Sequence, residues 1–190
     1  MARIPEFKVH DIFTNRWSPR AMSGEGIKDE ELMSLFEAAK WAPSSYNNQP
    51  WRFIYAKKGG AYWETFFNLL TEGNKVWAKN AAVLILVASK KTFDYNEKPS
   101  ITHSFDTGAA WENIALEGSI NGFVVHGMQG FDYEKAKKDL KITDEYTVEM
   151  MIAVGKPGRK KDLPEKLQES EFPSNRKKLK DIVFEGEFKV

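Results

Sequence analysis

"AAVLILVAS", Ala81 to Ser89, is almost wholly apolar and rich in branched side chains. A strand with one wet face alternates apolar and polar residues; a run without that alternation reads as a strand buried on both faces. Such a strand asks for a sheet covered on two sides. Other strands lie on either side of it in the chain. In "WRFIYA", Trp51, Phe53 and Tyr55 alternate with Arg52 and Ile54. "FVVHGMQGF", from Phe123, reads as a strand entering a glycine-rich loop, and "YTVEMMIAVGKPG", from Tyr146, as a last core strand.

Helical patterns fall between the strands. "GIKDEELMSLFEAAKWAP" repeats Leu32, Met33, Leu35, Phe36 and Ala39 at helical spacing, with Asp29, Glu30 and Glu31 in the first turn and Pro43 as a stop. "GAYWETFFNLL" reads as a second helix, "YEKAKKDL" as a short one, and "HSFDTGAAWENIALEGSINGF" as a long one ended by Gly122. The long one is full of small residues, among them Gly108, Ala109, Ala110, Ala115, Gly118 and Ser119, which let another backbone approach. The order of elements predicts an α+β fold with a central mixed, mostly antiparallel sheet flanked by helices.

The chain divides by composition. Residues 1–155 form the expected core. Residues 156–190 carry Pro157, Pro164, Pro173 and many charges, then end in "LKDIVFEGEFKV". This reads as an arm of the same domain with an apolar tip, able to dock on its own subunit or on another.

Composition narrows the function classes. The 190 residues include 28 Lys and Arg against 27 Asp and Glu, for a net charge of +1, so nothing global favours nucleic acid or an anionic membrane. No apolar run has spanning length, and "MARIPEFKVHDIF" lacks the apolar core of a secretion signal, so a cytoplasmic location is expected. The absence of cysteine excludes disulfides, thiolate catalysis and cysteine-ligated metals. His10, His103 and His126 show no metal-ligand spacing, and no G-x-S-x-G elbow, Walker loop or G-x-G-x-x-G fingerprint occurs. Each histidine is expected at the surface or as a satisfied core residue.

Two basic strings remain. "NRWSPRAM" sets Arg16 and Arg20 around Ser18 and Pro19, which suits either a phosphate, for which arginine supplies planar forks, or an exposed basic loop. "SNRKKLK", with Ser174, Arg176, Lys177, Lys178 and Lys180, reads by itself as a solvated face. "WAPSSYNNQPWRF", from Trp41, crowds hydroxyls and amides together without an acid. It fits the edge of a flat heteroaromatic ring that gains negative charge on reduction, or a polar turn between helix and strand. Tyr46 could border a stacking slot; Trp41 and Trp51 are expected in the core.

Four segments resemble the nitroreductase family of FMN-dependent oxidoreductases, in the family's order. "NRWSPRAM" is similar to its R-x-S-x-R phosphate motif and "APSSYNNQPWRF" to its P-S-x-x-N-x-Q-P-W signature. "DTGAAWENIALEGSINGF" is similar to its D-x-G-x-A-x-x-N helix, and "VGKPG" with "FPSNRKKLKDIVFEGEF" to its closing strand and R-K-x-L arm. The resemblance implies an intertwined, obligate homodimer with FMN at two interface sites, the arm exchanged onto the partner and the small-residue helix in the subunit contact. It implies that Arg16, Ser18, Arg20 and Arg176 hold the phosphate and ribityl end, with the pyrimidine edge of the ring as the alternative place for Arg20, and that Trp17 also meets the cofactor, although it stands where many members carry a basic residue. Pro43, Ser44, Ser45 and Asn47 would line the ring from the other subunit, with Gln49 bracing their loop. Asn74 would reach the cofactor or the substrate mouth, and Gly127 and Met128 would lay backbone against the ring. No protein residue is expected to be catalytic in itself and no metal is expected, because flavin carries the chemistry. NADH or NADPH would donate hydride, and a nitroaromatic, a quinone or another small acceptor would remove it, in ping-pong order. A non-catalytic FMN carrier or sensor is the alternative.

Overall fold

A computed structural model describes residues 3–188. Its sheet is built on β2 (Val83–Lys90), whose residues from Val83 to Ser89 are all buried. β1 (Trp51–Lys57) pairs on one side of it and β4 (Tyr146–Gly155) on the other, with β3 (Val124–Met128) beyond β4. All three pairings are antiparallel, so among the described residues the sheet has no parallel component, where a mixed, mostly antiparallel one was expected.

Side-chain alternation divides β2 between two cores. Val83, Ile85 and Val87 face α2 (Asp29–Lys40) and α5 (His103–Ile120), meeting Leu32, Leu35, Ile114 and Ala115. Leu84, Leu86 and Ala88 face the opposite layer, which includes Trp63, Phe66, Trp77 and Ala136. That layer comprises α3 (Trp63–Phe67), α4 (Glu72–Ala78) and α6 (Tyr133–Asp139). The lack of polar alternation thus has its cause in helices on both sides.

In α2 the Glu31 carboxylate accepts the Lys28 N–H at 2.7 Å, closing the first turn. Leu32, Leu35 and Ala39 are buried, whereas Met33 stays exposed and Phe36 packs at the rim against Phe53 and Tyr55. The predicted helix "GAYWETFFNLL" is shorter than expected, and α4 follows in "EGNKVWA", where no helix was expected. The break has a tertiary cause: the 129–132 loop captures the chain, with Thr71 N–H bonded to Gly130 O and Asp132 N–H to Leu69 O. Helix α5 ends at Ile120, and Gly122 takes φ +75°, a left-handed turn suited to glycine. A Cβ on Gly118 would lie 2.3 Å from Val125 Cγ2, so α5 rests directly on β3.

The beginning of the arm crosses the N-terminal segment of its own chain. Gly158 N–H bonds Ala21 O and Ser23 N–H bonds Lys156 O, around a bridge between Met22 and Pro157. A short helix, α7 (Glu165–Gln168), precedes Glu171, which is buried. Farther on, Ile182, Val183 and Phe188 are exposed, as are Ile4, Phe7 and Phe13 near the other end. The fold thus brings both ends of the described chain to one side and leaves apolar surface on each.

Candidate functional site: an arginine-lined cleft

After the short helix α1 (Asp11–Asn15), residues 16–20 run extended toward the crossing with the arm. Glu171 fixes this stretch from the far end of the chain: its Oε1 accepts the backbone N–H groups of Arg20 (2.8 Å) and Ala21 (2.9 Å). From below, β3 supplies His126, whose Nδ1–H donates to Pro19 O at 2.8 Å while its ring packs 4.6 Å from that of Trp77. Burial, and next the charge of Arg20, hold the His126 pKa below its ordinary value, so the imidazole is a neutral strut.

These anchors shape a cleft of about 310 Å³ lined by Arg3, Arg16, Trp17, Ser18, Arg20, His126, Ser170, Phe172, Ser174 and Arg176. Four guanidinium groups therefore converge from both ends of the described chain. Arg16 donates to Ser18 Oγ (3.3 Å) and lies 3.6 Å from Glu112. Arg20 lies 3.8 Å from Glu171. Arg3 donates to Thr14 O, Arg16 O and Ser174 O, binding the two ends together. Among the described residues Arg176 donates to Ser174 and Asn175, within its own segment. The pKa of Arg3 is lowered, first by burial and then by the charges of Arg176 and Arg16. Like charges are thus held near one another, and among the described residues two carboxylates offset four bases. Such a cleft is complementary to a compact anion carrying two charges, such as a phosphate monoester.

The cleft unites Arg16, Trp17, Ser18, Arg20 and Arg176 of the expected set. Arg3 was missed because "ARIPEF" contains no motif; its place follows only from the meeting of the termini. Pro43, Ser44, Ser45 and Asn47 do not line the cleft of their own chain. They form the α2–β1 connection, a single tight turn in which Tyr46, Asn47 and Gln49 take φ of 52°, 53° and 50°. Side chains reward this unusual backbone. Ser44 Oγ accepts Gln49 N–H (3.0 Å), Asp106 Oδ2 accepts Ser45 N–H (3.0 Å), and Gln49 Nε2 donates to Asn47 O (3.1 Å). The buried Asn48 donates to Thr92 O and accepts from Asp94 N–H. No sequence motif assigned a role to Asp106 or Asn48, yet they shape the turn.

The other expected residues have these surroundings. Met128, expected to offer its backbone to the ring, is 4% exposed and packs its side chain in the core. Gly127 turns its Cα hydrogen toward Met150 and Trp111, since a Cβ there would lie 2.4 Å from Met150 Cε. Asn74 spends an amide hydrogen on Gly130 O at 2.9 Å, bracing the glycine loop. Trp51 is a core residue as expected, but Trp41 is 75% exposed because α2 ends before it and turns it outward, where Glu37 accepts its Nε1–H. All three histidines have structural partners: His10 accepts Ile12 N–H, and His103 meets Ser89 Oγ at 2.7 Å. Among the described residues no group of His, Asp and Glu could hold a metal ion. No described helix is long and apolar enough to cross a membrane.

Comparison with known proteins bears on what this cleft is for. The model of the nitroreductase family matches residues 13–62 and 61–156. The chain belongs to the nitroreductase family. A solved structure described as an oxidoreductase containing FMN is 45% identical, with a TM-score of 0.94, and the match covers 98% of this chain and 96% of that one. A nitroreductase family protein from Clostridium difficile is 18% identical with a TM-score of 0.72, covering 96% of this chain and 100% of that one, which shows a shared fold. A curated relative in Archaeoglobus fulgidus, named "Putative NADH dehydrogenase/NAD(P)H nitroreductase", is 28% identical over 81% of this chain and 87% of its own length. In this nitroreductase-family chain, the matched region ends where the arm begins. The family model therefore contains Arg16, Ser18 and Arg20 but neither Arg3 nor Arg176.

Proposed function

We propose that this chain binds FMN and works as an NAD(P)H-dependent oxidoreductase. The observation that carries the reading is the convergence of Arg3, Arg16, Arg20 and Arg176 on one cleft with too few acids to neutralise them. The residues present fit the phosphate end of FMN: several forks, the Ser18 and Ser174 hydroxyls, and repulsion that a dianion would relieve. The 45%-identical relative containing FMN supports the same cofactor here.

When bound, FMN would supply the redox chemistry between NADH or NADPH and a nitroaromatic, a quinone or another small acceptor, the two substrates using one place in turn. The protein binds and orients. Arg16 and Arg176 hold the phosphate, and Arg20, fixed through its own N–H by Glu171, sets a cation where negative charge develops. The Ser44–Asn47 turn, rigid and without acids, comes from a second copy of the chain and borders the ring.

That copy is also what the uncovered surface asks for. On α5, Phe105 is 82% exposed, and a Cβ added to Gly108 would meet no atom within 4 Å, so small and apolar residues face outward with no internal reason. The exposed apolar ends of the chain add to this face. An obligate homodimer in the cytoplasm, with the exposed arm tip at Ile182, Val183 and Phe188 reaching onto the partner, completes the reading.

The test is a visible spectrum of the purified protein after loading with FMN, followed by steady-state oxidation of NADH and NADPH with a quinone. A bound flavin band and turnover well above free FMN are expected. A bound flavin without such turnover would make the protein a carrier or sensor. Failure to retain FMN would overturn the cofactor assignment.

A further inference from the structure

A second cavity lies behind the arginine cleft, across residues 16–20 from it. It measures about 360 Å³, and its wall includes Trp17, Pro19, Ala21, Phe123, Val124 and Pro157. The extended backbone divides its side chains between the two spaces: Arg16, Ser18 and Arg20 line the cleft, Ala21 lines the cavity, and Trp17 borders both. Glu171 belongs to the lining of the cavity, and its side chain is only 3% exposed. Its Oε1 is spent on the N–H groups of Arg20 and Ala21. Its Oε2 is buried and has no hydrogen-bond partner among the described residues; the Arg20 guanidinium, 3.8 Å away, is too far to donate. We propose that this cavity binds a small amine with an aromatic body, and that its occupancy tightens the hold of the cleft on a phosphate dianion.

Three observations carry it. The first is the unmet oxygen. A buried carboxylate oxygen without a donor costs free energy that a ligand N–H recovers. An ammonium recovers more than a neutral donor, because its hydrogen bond is charge-assisted. The second is the wall. The indole of Trp17 and the ring of Phe123 attract a cation as well as an apolar body, and the volume is that of a small-molecule site. Lys160, the other charged residue of the lining, is exposed and keeps its ammonium in water, so the charge met inside is that of Glu171. The third is the position of Glu171 between the two spaces. Its Oε2 attracts Arg20, which lines the cleft. A cation on that oxygen takes over this attraction and leaves the guanidinium to the cleft. Linkage makes the effect reciprocal: each ligand tightens the other. Binding of the amine stands independently of the functional reading above; its effect on the cleft rests on FMN being the dianion there.

Calorimetric titration of the whole chain, with and without FMN, tests the site with phenethylamine, using 2-phenylethanol and phenylacetate as its neutral and anionic counterparts. Phenethylamine should bind at least about tenfold more tightly than the alcohol, and phenylacetate should not bind. Glu171→Gln keeps an oxygen for the Arg20 and Ala21 N–H groups and removes the charge, so it should bring amine and alcohol within about twofold of each other. Ser119→Phe, which fills the cavity from α5 and leaves Glu171 in place, should abolish binding of both. Thermal unfolding reports that each variant is folded, and Ser119→Phe carries the test where Glu171→Gln does not fold. Fluorescence titration with FMN, with and without saturating phenethylamine, tests the linkage: the amine should lower the FMN Kd about fivefold in the wild type and leave it unchanged in Ser119→Phe. Equal wild-type affinity for amine and alcohol, a preference that survives Glu171→Gln, or binding that survives Ser119→Phe would overturn the site. An FMN Kd indifferent to the amine would overturn the linkage alone. A wild-type protein that binds the amine and takes up no FMN would overturn the functional reading and support the amine site.

Discussion

Arg176→Ala separates a binding residue from a stabilising one. In the folded chain the Arg176 guanidinium donates to Ser174 O, Ser174 Oγ and Asn175 O at 3.2 to 3.3 Å, all local and exposed. Its charge also bears on Arg3, whose pKa is lowered in part by Arg176. Removing it therefore sacrifices weak contacts and relieves repulsion, so stability without flavin should change by no more than about 0.5 kcal/mol. Binding should respond quite differently. A charge-assisted hydrogen bond to phosphate contributes about 1.5–3 kcal/mol, which corresponds to roughly a 10- to 150-fold rise in Kd. Quenching of FMN fluorescence on titration measures Kd, and thermal unfolding of the flavin-free protein measures stability. Arg176→Lys, which keeps the charge and loses the fork, should fall between the two proteins. Adding Arg16→Ala should weaken binding further, and the dependence of Kd on salt should flatten as charges are removed. An unchanged Kd would refute the phosphate assignment. A large loss of stability in Arg176→Ala would refute the view that the cleft is held open against its own charge.

Three further outcomes are expected. Because burial and then Arg20 depress the His126 pKa, the unfolded chain protonates first as pH falls through about 6.5. Stability should be constant in this respect above that pH and decline below it, by at most about 1.4 kcal/mol per pH unit. Thermal melts from pH 7.5 down to about 5.5 should show a shallower decline in His126→Gln than in the wild type; equal slopes would remove His126 from the account. Gly158→Ala should lower stability by about 1–3 kcal/mol, read as a lower urea midpoint at unchanged m, since its Cβ would lie 2.5 Å from Met22 C and 2.6 Å from Met22 O in rigid backbone. Deleting Asn175–Val190 removes Arg176 and the exposed Ile182, Val183 and Phe188 while keeping Glu171, and should leave monomer or aggregate that does not hold FMN. An intact, flavin-loaded dimer by light scattering would refute the arm's role.

Some misreadings share a cause. Met33 and Trp41 obey the apolar pattern of α2 but project from its rim and its end. Periodicity reports which face of a helix is apolar; it does not report how wide the covering layer is or where the last turn points. The break between α3 and α4 escaped for a similar reason. "YWETFFNLL" is helical by composition, but hydrogen bonds from residues 130 and 132, far along the chain, interrupt it. Asp106 opens the D-x-G-x-A-x-x-N motif and Asn48 lies in the amide-rich string, but neither showed its role, because a buried carboxylate or amide shows its purpose only through the backbone it satisfies.

What the sequence determined by itself is everything that repeats or is locally self-sufficient. The unbroken apolar run at Val83–Ser89 required helices on both sides, because no face of that strand tolerates water. Gly122 ended the long helix, and the short polar residues after Trp41 made a turn. Arg16 and Arg20 were legible as a pair because they stand four residues apart around Ser18. The tertiary structure alone decided that this pair is half of an arginine-lined cleft. Arg3 and Arg176 are separated by nearly the whole chain, and either could have remained a solvated base. They meet Arg16 and Arg20 because the arm crosses the N-terminal segment at Met22–Pro157 and because Glu171, buried, takes the N–H groups of Arg20 and Ala21. Electrostatic complementarity to a dianion is a property of distances between charges, and those distances exist only once the two ends of the fold have been joined.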